Sequence, residues 1–174
     1  MSDRPAPDFS RPLEAMRASH ECLLAGLDEL EDLVSRLSLE GADAQARKTA
    51  AAVMARFDGK EAMHEPDEDV DLFPLLHESA VRLGRGELLT ALRELELEHA
   101  VMRDVYAPLR EQLAALAEGR SARLDVERVA RFAWLCRRHI GTEASVILPF
   151  AGEALDEAAR QRLGEQMAKR RRTA

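Results

Sequence analysis

Four long stretches of this 174-residue chain place apolar residues at steps of three, four or seven, and each stretch carries one histidine in line with its apolar residues. The first is Leu13, Met16, His20, Leu23, Leu27, Leu30, Val34 and Leu37; the second is Val53, Phe57, His64, Glu68, Leu72 and Leu75. The third is Leu88, Leu92, Leu95, His99, Met102, Tyr106, Leu109, Leu113 and Leu116; the fourth is Val129, Phe132, Cys136, His139, Glu143, Val146 and Phe150. Steps of this kind bring side chains to one side of an α-helix. Four such helices joined by short turns predict an all-α, up-down-up-down four-helix bundle.

The punctuation sets the expected boundaries. Ser10 is a candidate N-cap with Pro12 in the first turn, and Gly41 is the expected stop. The second helix should open near Asp43 and end somewhere between Pro74 and Gly84 or Gly86. The third should span about Glu87 to Gly119, and the fourth should follow Ser121 or Asp125. A short fifth helix, from about Asp156 to Arg170, should pack outside or fray. The expected organisation is a loose lead over 1–10, one helical domain over 11–155, and a short helix with a basic tail over 156–174.

Composition agrees with helix. Aromatic residues make up 4% of the chain, and Ile and Thr are sparse beside Leu, Ala, Glu and Arg. The net charge of −7 disfavours a nucleic-acid footprint across the surface, and Lys169-Arg170-Arg171-Arg172 is the one basic cluster. No stretch is long and apolar enough for a membrane span, and Met1–Asp8 has no apolar leader pattern, so a cytoplasmic location is expected. The two cysteines, Cys22 and Cys136, read as small buried hydrophobes and not as a disulfide framework.

The four histidines can share one level. His20 lies 21 residues before Gly41 and His64 lies 23 after it, so the chain climbs about 31 Å and returns about 34 Å. His99 and His139 each lie 20 residues from Gly119, about 30 Å on either leg. A weak repeat accompanies this: His64-x3-Glu68-x5-Pro74 is matched by His139-x3-Glu143-x5-Pro149. The chain thus reads as two related hairpins across a pseudo-two-fold axis. His and Glu four apart share a helix face, so each second helix offers a nitrogen and a carboxylate to the same point. Six buried polar side chains are costly unless something pairs with them, and metal cations do so. Four His and two Glu without thiolate suit iron or manganese better than structural zinc, and two ions are the economical count.

The arrangement His20, His64-x3-Glu68, His99, His139-x3-Glu143 resembles the hemerythrin-like (HHE cation-binding) family. So do the phrases Asp67-Glu68-Asp69-Val70-Asp71-Leu72-Phe73-Pro74-Leu75-Leu76 and Glu98-His99. The resemblance covers about residues 10 to 155. It implies that His20, His64, His99 and His139 bind two iron ions, that Glu68 and Glu143 bridge them, and that an oxo or hydroxo group completes the bridge; manganese is the alternative metal. Oxygen-carrying members have a further histidine where this chain has Arg103, and an Asp one residue beyond the position of Glu143. The resemblance is therefore to the bacterial signalling, repair or iron-sensing branches, with a site more open and more easily oxidised than a carrier's.

Three function classes follow. The first is binding of, or reaction with, dioxygen, nitric oxide or peroxide, in sensing or oxidoreductase chemistry with an unidentified redox partner. The second is iron storage, iron sensing or iron delivery for repair of iron centres. The third is a metal-free helical interaction module using the Arg-rich tail. Several further residues have two readings. Glu61 is an auxiliary ligand or a plain helix charge; Tyr106 and Met102 pack in the core, or Tyr106 offers its hydroxyl to the metals. His77 reads as solvated. Pro66 and Gly141, each two residues after a motif histidine, either unwind the helix locally or coincide by chance.

Overall fold

The computed structural model describes residues 8–173, apart from the side chains of 60, 61 and 173. The described residues are helical, with no strand among them. The first leg is α1 (Pro12–Glu40). The second comprises α2 (Ala44–Asp58), a 3₁₀ turn (Lys60–Met63), α3 (His64–Pro66), a π-helical segment π1 (Asp67–Leu72) and α4 (Phe73–Arg82). The third is α5 (Gly86–Ala117). The fourth comprises α6 (Val126–Thr142), a second π-helical segment π2 (Glu143–Ile147) and α7 (Leu148–Ala154), after which α8 (Glu157–Thr173) ends the chain.

Local chemistry accounts for most boundaries. Asp43 and Asp125 cap α2 and α6, accepting from the backbone N–H of Ala46 at 2.7 Å and of Arg128 at 3.0 Å. Asp156 does the same for α8 through Ala159, at 2.8 Å. Gly41 and Gly119 adopt φ of 75° and 73°, the left-handed turn that glycine takes without a Cβ penalty. Ser10 does not cap α1: its hydroxyl donates to Asp8 at 2.7 Å, and the capping position is Arg11.

The second leg is not the single helix its periodicity suggests. It breaks at Gly59 and reopens as π1 after Pro66. In π1 the Phe73 N–H reaches the carbonyl of Glu68, and in π2 the Leu148 N–H reaches that of Glu143, each five residues back. The proline after each explains the widening. Pro74 and Pro149 lack an N–H for the carbonyls of Val70 and Ser145, and their rings crowd those groups. An α-helix cannot accommodate this without local opening, and the π register is that opening.

α1 packs against α2 and α6, and α5 packs against the same two, so the four long helices close a ring. Two apolar clusters fill it. One contains Met16, Leu72, Phe73, Leu76, Leu92, Leu95 and Leu148, and is joined by Leu163 and Met167 of α8. The other contains Leu27, Leu30, Leu33, Val53, Leu109, Leu113, Leu116 and Phe132. The C-terminal helix thus contributes to the core and does not simply pack outside it. Among the described residues, no helix is long and apolar enough to cross a membrane.

Candidate metal centre

Between the two clusters lies a polar layer. His20, His64, Glu68, His99, His139 and Glu143 are each no more than 4% exposed. α1 and α3 supply the first imidazole pair, with ring centroids 4.6 Å apart; α5 and α6 supply the second, at 4.5 Å. Each glutamate opens a π segment or lies one residue into it.

The two carboxylates divide their oxygens between the pairs. Glu68 turns Oε1 to Nε2 of His64 at 3.0 Å and to Nε2 of His20 at 3.7 Å, and Oε2 to Nε2 of His99 at 3.4 Å. Glu143 turns Oε2 to Nε2 of His20 at 3.1 Å and Oε1 to Nε2 of His139 at 3.2 Å. Two clusters result, His20–His64–Glu68–Glu143 and Glu68–His99–His139–Glu143, in each of which one ligand atom per residue lies within 4.8 Å of the others. Either cluster could hold a metal ion.

Close approach still leaves several of these atoms without a hydrogen bond. His20 Nε2, both ring nitrogens of His64, Glu68 Oε2, His139 Nε2 and both Glu143 oxygens have no hydrogen-bond partner among the described residues. Such orphaned buried atoms are expensive, and native proteins rarely keep one without a reason. Here they are borderline imidazole nitrogens and hard carboxylate oxygens converging on common points, a donor set that fits a divalent transition metal. The electrostatics agree. Burial resists the negative charge on Glu68, yet the surrounding His64, His20 and His99 hold its carboxyl well below the usual carboxylate range.

Two carboxylates hold the far sides of the second imidazole pair. Asp69 Oδ1 lies 2.9 Å from Nδ1 of His99, and Glu98 Oε2 lies 3.1 Å from Nδ1 of His139. A carboxylate there holds a proton on Nδ1 and leaves Nε2 as the atom that faces the site. The sequence displays both residues, in Glu68-Asp69 and Glu98-His99, but their roles depend on packing between helices and no spacing rule finds Glu98 against His139. These contacts complete the pattern. A model of the Hemerythrin HHE cation binding domain matches residues 11–151.

The chain belongs to the hemerythrin HHE family.

An uncharacterized protein of Haemophilus influenzae is 24% identical to this member over 163 residues, which is 94% of this chain and 91% of that protein.

Of the other residues singled out, His77 lies away from the layer, with Nε2 3.6 Å from Glu96. The Tyr106 hydroxyl donates to Asp58 at 3.2 Å while the residue lines the cavity beside the polar layer, and burial together with the Asp58 charge raises its pKa. Arg103 is largely exposed and paired with Glu65, so it turns outward. Burial pushes the Cys136 thiol up to about 12 and keeps it unreactive. The side chain of Glu61 lies outside the described residues. Beside the layer is a cavity of about 390 Å³, walled by Leu23, Phe57, Met102, Phe132 and Ile140, with His64, His99 and His139 on one side and Glu65 and Arg103 among its more exposed linings.

Proposed function

We propose that this chain is a cytoplasmic non-heme di-iron protein whose residues 11–155 form an up-down-up-down bundle around the metals. His20 and His64 would hold one ion, His99 and His139 the other, and Glu68 and Glu143 would bridge them, with an oxo or hydroxo group as a further bridge. Iron is favoured over manganese as the resident metal. When bound, the pair would supply exchangeable positions and redox chemistry for dioxygen, nitric oxide or peroxide.

The observation that carries this reading is the division of both carboxylates, one oxygen to each imidazole pair. A single ion would need neither the second pair nor a shared glutamate. Asp69 and Glu98 orient the imidazoles, and the apolar walls of Leu23, Phe57 and Phe132 limit water beside them. Small uncharged ligands partition into such a space more readily than charged ones. Arg103, turned outward, adds no donor to the layer.

The test is anaerobic purification, metal analysis, and optical spectra before and after addition of dioxygen or nitric oxide. About two irons per chain and a spectral response to either gas are expected. Two irons without a response would redirect the reading to iron storage, sensing or delivery. A chain that takes up no metal would refute both.

A further inference from the structure

Asp67, the residue before Glu68, is fully buried at 0% exposed, and its counter-charges come from the far end of the chain. Arg170 pairs with its Oδ1 and reaches Asp71 Oδ2 at 2.6 Å, while Arg171 lies 2.7 Å from Asp67 Oδ2. Both arginines are on α8, beyond residue 151 where the family match ends. The basic cluster at the end of the chain is therefore engaged, through these two residues, with the segment that carries a candidate ligand.

α8 is seated closely enough to transmit force. Leu163 and Met167 are 1% exposed in the core, and Arg171 lies over the Phe9 ring at 4.7 Å. At Gly164 the helix touches the Phe9 carbonyl so closely that an added Cβ would stand 1.9 Å from its oxygen. Among the described residues, the position before Glu143 has no such ion pair. The residue before Glu143 is Thr142, whose hydroxyl donates to the Arg138 carbonyl of its own helix at 3.2 Å.

A π segment has poorer hydrogen-bond geometry than an α-helix and deforms more easily. A buried carboxylate deprived of its cations cannot stay where it is; it must rotate toward water or draw water in. In Asp67 that movement would pass directly to Glu68. We propose that α8 is a strap that holds the Glu68 turn against the metal layer, with Asp67, Arg170 and Arg171 as positioning residues. The proposal rests on the reading of Glu68 as a metal ligand. Coupling between two sites is reciprocal, so cation retention and tail docking each strengthen the other.

The experiment uses the full chain loaded with ferrous iron under anaerobic conditions. Iron is extracted with a chelator from the wild type, from Arg170→Gln/Arg171→Gln, from Gly164→Ala, and from Leu113→Ala as a control in the other apolar cluster. Gly164→Ala lifts the helix without changing a charge. Extraction should be about 10-fold faster in the two strap variants, the scale on which groups supporting metal ligands act, and near wild type in Leu113→Ala. Amide hydrogen exchange in α8 should slow when iron is loaded into the wild type, and this dependence should vanish in Arg170→Gln/Arg171→Gln. Wild-type protein that holds iron but shows no iron dependence in α8, or equal acceleration in Leu113→Ala, would overturn the strap alone. Wild-type protein that takes up no iron would overturn the ligand assignment and the strap together.

Discussion

Asp69 and His99 meet across a helix interface with Oδ1 and Nδ1 2.9 Å apart, so the residue following one candidate ligand orients another. Asp69→Asn keeps the shape but removes the charge that steadies the Nδ1 proton. Iron affinity should fall about 10-fold, as outer partners of metal-binding histidines generally require. Chelator competition measures this, and unchanged affinity would show that His99 is oriented by packing alone. Glu98→Gln should act in the same direction through His139.

Removing one imidazole from each pair tests the layer itself. His64→Ala/His139→Ala should lose most of its iron while keeping its far-ultraviolet circular dichroism, because both apolar clusters remain intact. Two irons in this double variant would refute the assignment.

Cation binding should stabilise the fold, since the orphaned atoms of the layer gain partners. A ligand at a hundredfold excess over its Kd contributes about 2.7 kcal/mol, and two ions can contribute more. Equal melting temperatures with and without iron at one pH would show a hydrated layer and no cage.

In the metal-free protein His20 and His99 favour the charged form. Burial opposes it, but Glu143 and Glu68 raise His20 to about 9, and Glu68 and Asp69 raise His99 to about 9. Because the folded values exceed the ordinary 6.5, this pairing supports the metal-free fold fully below that pH and is lost as pH rises through about 9. Iron competes with the same protons. Loading at pH 7 should therefore release protons, and affinity should climb between pH 6 and 9. A weakly buffered titration followed by an indicator dye checks both; loading without proton release would contradict the raised values.

Exposed Arg103 and partly buried Glu65 form an ion pair beside the cavity. Arg103→Ala should change stability by no more than about 0.5 kcal/mol. It should also hasten the optical response to nitric oxide by clearing the approach. A stopped-flow comparison decides this, and an unchanged rate would place the entrance elsewhere.

The sequence made the helical class and the common level of the four histidines readable, because rise and period are local properties and the turns at Gly41 and Gly119 stand at matching distances. The break at Gly59 escaped that reading: the apolar stripe continues from Phe57 to His64 as though the helix did. Pro66 and Gly141 left local unwinding and coincidence equally open, and the stronger signal for the two π segments was the proline six residues after each glutamate. The seat of α8 was illegible. It depends on Asp67 being buried, which no period reveals, and on Gly164 meeting Phe9, which is a matter of packing between distant segments.

The polar layer has a consequence for cooperativity. It interrupts the interior, so Met16, Leu72 and Leu95 belong to one apolar cluster while Leu27, Leu109 and Leu113 belong to another. In the metal-free chain, α1 and α5 span both, but the charged layer between them weakens the energetic link from one end to the other. An interior divided in this way would let its two ends open separately, one ending at α8 and the other at the α5–α6 turn. Cations shared between the hairpins would join those ends across the layer, so that a protein able to unfold in stages becomes one that unfolds all at once.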